Sequence, residues 1–369
     1  MRTVNEVDGA AVDMADHPPV KLDRLGVLLV NLGTPESTDV PTVRRYLREF
    51  LSDPRVIEVN PWLWKPILYG IILTTRPPKT AEAYRQIWME EHDESPLRHY
   101  TRLQAELLQE RMDPNGETLM IDWAMRYGVP RIGDRLEAMT EAGCDKIVIV
   151  PLYPQYSAST TASVNDAAFD ALKTLRWQPA VRTAPAFHDD ESYVEAVAAG
   201  IERHLKTLDW EPEVILASFH GLPKRYFLAG DPYHCHCAKT ARMVRERLGL
   251  TKDQFRLTFQ SRFGTEEWLQ PYTDKTIEAL AEEGVKKIAV VCPGFVADCV
   301  ETLEEIGIQA RETFEEGGGT HFTTIPCINA DVEAIDMLEA LVIRELSGWW
   351  KPAEAEANEG TQPVRMAGE

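Results

Sequence analysis

The sequence predicts an α/β protein of two similar halves, each a parallel sheet flanked by helices, with a ligand cleft between the halves. Three observations carry this. Short apolar runs alternate with longer amphipathic stretches, the pattern of strand–helix units. Most of the runs are apolar throughout instead of every second residue, as strands buried on both faces are. And the chain repeats itself: EAGCDKIVIVPLYPQYSAST (141–160) returns as EEGVKKIAVVCPGFVADCVE (282–301), and VLLVNLGTP (27–35) is matched by VILASFHGLP (214–223).

The first half is expected over 23–187. Its strands are read at VLLVNL (27–32), TLMIDWAM (118–125) and KIVIVPL (146–152), with a helix at TRLQAELLQERM (101–112). The second half, 188–350, is expected to begin with the helix YVEAVAAGIERHLKTL (193–208). It continues through the strands EVILASF (213–219), FRLTFQS (255–261) and KKIAVVCP (286–293) and the helix TDKTIEALAEEG (273–284). Ligands of open α/β sheets bind at the carboxyl ends of strands. The loops 31–37, 153–161, 219–226 and 292–301 are therefore expected to face one cleft. Residues 1–22 and 351–369 are polar and read as disordered tails.

Composition narrows the function. The 369 residues carry 59 acidic against 39 basic side chains, a formal charge of −20, which disfavours a nucleic-acid partner. The N-terminus lacks the apolar core of a signal peptide, and no apolar run is long enough to span a bilayer. Six cysteines in a long chain without such a signal read as reduced thiols of a cytoplasmic protein. No G-x-G-x-x-G follows a strand and no phosphate-loop motif is present; the glycines 317–319 read as a turn before a strand. PWLWKPILYGIIL (61–73) is strongly apolar but broken by Lys65, Pro66 and Gly70. Taken alone it reads as a buried helix; the alternative is an exposed lip for an apolar ligand or a membrane surface.

Two segments at strand ends could carry chemistry. In ADCVETLEE (297–305), Asp298, Glu301 and Glu305 are spaced to share one helix face, a carboxylate column able to receive a divalent cation or pass protons. His220 occupies the corresponding loop of a neighbouring strand, where it could accept a proton or ligate a metal. DPYHCHC (231–237) is a second metal candidate: His234, Cys235, His236 and Cys237 are suitable ligand types, but no partner pair nearby completes a four-ligand set. Arg76, Lys79, Arg126, Tyr127, Tyr153, Gln155, Tyr156 and Trp268 would together suit a large flat apolar ligand with carboxylate arms.

From about residue 25 to 350 the chain resembles ferrochelatases, which insert ferrous iron into a porphyrin. LLVNLGTPES (28–37), TRPPKTAEAYRQIW (75–88), PLYPQYSASTT (151–161), SFHGLPKRY (218–226), FQSRFGTEEWLQPYTD (259–274) and CPGFVADCVETLEEI (292–306) carry the resemblance. It implies two Rossmann-like, chelatase-type halves around a porphyrin cleft. His220 and Glu301 would be the catalytic and metal-site pair, with Asp298 and Glu305 on an acidic path. Arg76, Lys79, Tyr127, Tyr153, Ser261 and Trp268 would meet the porphyrin. It also implies that 61–73 is the exposed lip, reversing the reading from the segment alone. Protoporphyrin IX and Fe²⁺ are the implied substrates and protohaem the product, in the terminal step of haem synthesis; peripheral membrane contact through the lip is expected. Relatives with an iron–sulfur cluster of the animal type have a cysteine where Ala158 stands and three more near the C-terminus, whereas no cysteine follows Cys327 here. That cluster is not expected, and no cofactor is required. Where animal relatives have a second histidine two residues before the metal-site glutamate, this chain has Cys299.

Overall fold

The structure, a computed structural model, describes residues 24–350; the tails expected at 1–22 and 351–369 lie outside the described residues. Eight strands form two four-stranded parallel sheets. The first contains β1 (Arg24–Gly33), β2 (Leu119–Tyr127), β3 (Cys144–Pro151) and β4 (Ala180–Thr183) in the order β2-β1-β3-β4. The second contains β5 (Val214–His220), β6 (Phe255–Gln260), β7 (Lys287–Val291) and β8 (His321–Ile325) in the order β6-β5-β7-β8. The two orders are the same, so the repeated sequences fall on equivalent strands: β1 matches β5 and β3 matches β7. The six anticipated strands are all present. The short edge strands β4 and β8 complete the sheets.

Alternate residues of each strand serve two different cores, which is why the runs look apolar throughout. On one face of β1, Leu28 and Val30 pack with Leu136, Ile147, Ile149 and Val164. The matching outer face of the second sheet packs Leu216, Ile288 and Val290 on Ile277, Ile306 and Phe314. The inner faces of both sheets enter one shared cluster, which includes Val27 and Leu29 of the first sheet and Ile215, Ala217 and Phe219 of the second.

In the first half the helices are α1 (Val40–Leu51), α2 (Pro61–Ile67), α3 (Leu73–Ile87), α4 (Pro96–Met112), α5 (Ile132–Glu141) and α6 (Ser163–Leu172). The second half supplies α7 (Glu191–Leu205), α8 (Lys224–Leu228), α9 (Tyr233–Arg247), α10 (Thr273–Glu282), α11 (Arg311–Glu316) and α12 (Val332–Glu345). The C-terminal helix α12 packs on α7 and also returns to α4 and β3 of the first half. A buried amide reinforces this seam: Gln104 Nε2 of α4 donates to the carbonyl of Asn329.

Three segments wind as π-helix, with hydrogen bonds to the fifth residue along: Leu68–Ile72, Ala158–Ala162 and Glu301–Ala310. The last two follow the equivalent strands β3 and β7. The first links α2 to α3 and holds the apolar 61–73 segment together despite its helix-breaking residues. Proline in a helix leaves the carbonyl four residues back without its N–H partner. Pro77 would orphan Leu73 in this way, and Arg44 Nε donates to the Leu73 carbonyl at 2.9 Å instead.

The 61–73 segment is not a buried helix. Trp62 is 87% exposed, and Leu63, Ile67, Tyr69 and Ile71 are exposed with it, while Leu68 turns inward. Among the described residues, no helix is long and apolar enough to cross a membrane.

Candidate active site

The site forms where β5 and β6 end together. His220 and Gln260 are register partners across the two strands. The chain must then turn sharply: Gly221 N–H donates to the Gln260 carbonyl at 2.7 Å. A Cβ on residue 221 would lie 2.7 Å from that same oxygen and 3.1 Å from the Trp268 ring, so only glycine fits the turn without displacement. His220 is half-buried, and its Nδ1 lies 2.6 Å from the Gly221 carbonyl. A carbonyl only accepts, so Nδ1 carries the proton and Nε2 holds the lone pair.

Opposite lies the π-helix Glu301–Ala310. Glu305 is tied to the end of β6 through Ser261, whose N–H donates to Glu305 Oε1 at 2.7 Å and whose hydroxyl donates to Oε2. Ser261 reaches both oxygens because its backbone adopts φ 64, a left-handed conformation uncommon for serine. Burial raises the Glu305 pKa; the Ser261 hydrogen bonds and the nearby His220 charge oppose that rise, and Glu301 adds to it. Glu305 therefore lies within electrostatic reach of both His220 and Glu301.

Glu301 also borders the first half. It lines a small cavity with Gly33 at the end of β1, Thr34 of the loop that follows, the phenols Tyr46 and Tyr84, and Cys299. Burial raises both phenols and the Cys299 thiol, with Glu301 contributing to each rise. The Cys299 position thus offers a neutral thiol and no base.

Asp298 does not stand in the expected column. The helix starts at Glu301, after it, and the Asp298 carboxylate turns into the second half. It accepts from Asn329 Nδ2 at 2.7 Å and from the Thr302 hydroxyl at 2.9 Å, anchoring the loop instead of facing the other carboxylates. Glu301 and Glu305 remain four apart on one helix.

The residues expected around a flat ligand divide into rim and support. Arg76 and Lys79 are exposed on α3, one turn apart, next to the lip. The Arg76 guanidinium lies 5.4 Å from the ring of Phe263, on the loop after β6, so the two halves approach at the mouth of the cleft. Ser261 is engaged by Glu305. Trp268 is buried, with its ring behind Gly221 and 5.0 Å from Phe263. Tyr127 is completely buried and has no surface to offer a ligand. Its hydroxyl donates to Asp53 at 2.7 Å, beside Arg126, which donates to the same carboxylate at 2.6 Å. Burial would raise the Asp53 pKa, but its hydrogen bonds with Ser163, the Arg55 N–H and Tyr127 and the Arg126 charge outweigh that and hold it low. Tyr153 is half-buried behind the same network, its hydroxyl without a partner. Tyr127 thus packs with Leu68 and Leu73 at the base of the lip, and Tyr153 packs on the outer core of the first sheet.

The DPYHCHC residues diverge around α9, since neighbours on a helix point about 100° apart. Cys235 is exposed and Cys237 is in the core. His234 stacks on Phe259, and His236 stacks on His188 at 3.6 Å. Burial, with the His236 charge second, pushes His188 down to about 4. No cluster of three or more metal-ligating side chains occurs among the described residues.

Gln260, Tyr46, Tyr84 and Asp53 join the site without having stood out in the sequence. Gln260 carries a readable signal, a polar amide closing the apolar strand FRLTF. Asp53, Tyr46 and Tyr84 lie in helices or loops with no such contrast.

Two parallel sheets of the same order, with their strand ends meeting at one seam, define the architecture of the two-domain chelatases. The solved structure of SirB from Bacillus subtilis with Fe³⁺ has this fold: TM-score 0.52 at 11% identity, covering 91% of this chain and 98% of that one. Sequence comparison makes the placement specific. Residues 24–346 match the ferrochelatase family model. The ferrochelatase of Rhizobium johnstonii is 62% identical over 335 residues, 91% of this chain and 97% of that protein. The ferrochelatases of Rhizobium meliloti and Agrobacterium fabrum are each 59% identical over similar spans. The chain belongs to the ferrochelatase family.

Proposed function

We propose that this protein is a metal chelatase of the lyase class that inserts Fe²⁺ into protoporphyrin IX, giving protohaem and two protons, the terminal step of haem synthesis. The observation that carries this beyond family membership is the orientation of His220. Its Nδ1–H is committed to the Gly221 carbonyl, so Nε2 is free to take a pyrrole proton. A free-base porphyrin holds two N–H protons, and iron enters only as they leave. His220 accepts them in turn, handing on the first before the second leaves. Glu301, in the same half but at the border with the first, positions the metal on the approach to the ring. Glu305, whose pKa burial raises, passes protons from His220 toward the open cavity of about 430 Å³ lined by Ser261, Arg262, Asp274 and Gln309.

Arg76 and Lys79 meet the porphyrin carboxylates at the rim, and Trp268 holds the His220 turn rigid. Closure of the two halves on the ring converts binding energy into distortion at the pyrrole nitrogens. The exposed lip favours the less polar protoporphyrin over coproporphyrin and gives the protein a peripheral contact with a membrane surface in the cytoplasm. All six cysteines are unpaired, which suits a reducing compartment.

Steady-state insertion followed by porphyrin absorbance tests the reading. Fe²⁺ with protoporphyrin IX is expected to give the highest kcat/KM among Fe²⁺, Co²⁺ and Ni²⁺ with either porphyrin. Stoichiometric binding without turnover would overturn it, and higher kcat/KM with coproporphyrin would overturn the substrate assignment.

A further inference from the structure

One buried side chain joins the His220 turn to the segment of both glutamates, and none of the steps proposed above uses it. Gln260 is 4% exposed. Its backbone carbonyl accepts from Gly221 N–H, and its register partner on β5 is His220. Its side-chain Nε2 donates to the Glu301 carbonyl at 2.8 Å and reaches Glu305 Oε2 at 3.3 Å. Oε1 accepts from the Ser218 hydroxyl at 2.7 Å and from the Cys292 thiol at 3.6 Å. Ser218 is in turn 2.8 Å from the Thr273 hydroxyl. All these neighbours allow a single amide orientation: the oxygen toward two donors, the nitrogen toward two acceptors.

The Glu301 carbonyl is where the helix geometry is decided. In an α-helix it would accept from the N–H of residue 305, whereas the segment Glu301–Ala310 is wound as π-helix. An external donor at this carbonyl supports the wider turn, and that turn sets where the Glu301 and Glu305 side chains point. The second Nε2 hydrogen, directed at Glu305 Oε2, favours the charged form of Glu305, because a carboxylate accepts more strongly than a neutral carboxyl.

We propose that Gln260 is a positioning residue for metal insertion: its amide fixes the first turn of the π-helix and holds Glu305 in register with His220. This rests on the chelatase reading above. It acts through the two glutamates and touches neither porphyrin nor metal. Gln260→Leu is close in size and removes both polar ends. Gln260→Glu keeps the shape but puts an acceptor against the Glu301 carbonyl and the Glu305 carboxylate.

The test measures wild type, Gln260→Leu and Gln260→Glu side by side for insertion kinetics across pH, porphyrin binding by fluorescence, and melting temperature. Wild type must insert iron; if it does not, the chelatase reading itself fails. Given wild-type turnover, both variants are expected to bind porphyrin within about twofold of wild type and to lose about tenfold in kcat/KM for Fe²⁺, the size of one charge-assisted hydrogen bond. In Gln260→Leu the acidic limb of the pH profile is expected to move upward, because Glu305 loses a donor. Gln260→Glu is expected to lose more at high pH than at low pH, since the introduced carboxyl can still donate while it is protonated. Unchanged kinetics in both variants would overturn the proposal. So would a loss of activity that tracks only a lower melting temperature, with the pH profile unmoved.

Discussion

At the scale of single residues, His220 and Glu305 make opposite demands on the protein. His220 keeps its lone pair available because one carbonyl fixes its tautomer. Replacing it with alanine is expected to cost about 10²–10⁴-fold in kcat, the usual contribution of a positioned base, with porphyrin affinity nearly unchanged. Insertion at wild-type rates by His220→Ala, followed by absorbance, would remove it from the mechanism. Glu305 is held buried, with its pKa raised first by burial. A carboxyl raised in the folded state adds stability that is fully present below its unfolded value and is lost as pH rises through its folded value. At neutral pH the charged form is therefore a burden. Glu305→Gln is expected to raise the melting temperature at pH 7.5 while slowing insertion, and the gain should vanish near pH 4. Calorimetry at both pH values checks this, and a variant less stable than wild type at pH 7.5 would contradict the assigned direction. His220 is legible in the sequence because an apolar strand ends on a polar ring with no structural need for it. Asp298 departs from its expected place because spacing alone assumes a helix that in fact begins three residues later.

At the scale of elements, the lip is the segment whose sequence points two ways. An apolar content of that density reads as a core helix, and proline and glycine do not decide between burial and exposure. What decides is the neighbour: α3 packs on α1, and the face of α2 that carries Trp62 and Leu63 meets nothing. Trp62→Ser with Leu63→Ser is expected to leave the melting temperature within about 0.5 kcal/mol equivalent of wild type, as for exposed positions generally. Binding to phospholipid vesicles and to protoporphyrin should weaken in the same variant, read by sedimentation and fluorescence. A large loss of stability with binding intact would mean that the lip is structural. The edge strands AVRT (180–183) and HFTTI (321–325) escape sequence reading for a different reason. Each has five residues or fewer and partly exposed positions, so neither period stands out.

At the scale of the whole molecule, the two halves share one hydrophobic cluster that takes the inner faces of both sheets together with α12. The described residues are therefore expected to unfold in a single cooperative transition, with calorimetric and van't Hoff enthalpies in agreement. Two separated transitions would show that the seam contributes little. The sequence by itself determined the α/β class, the duplication, most of the strands and the strand-end positions of His220 and the glutamates. Hydrophobic periodicity and repeats are local properties, and they survive translation into structure. Tertiary structure alone decided that Asp298 anchors a loop, that Tyr127 lies behind the cleft wall, that Ser261 caps Glu305 and that Gln260 ties the strand ends to the π-helix. Each of those depends on which side chains from distant segments of one half meet at one point, and that is set by how the loops and helices pack at the strand ends, which no local pattern encodes.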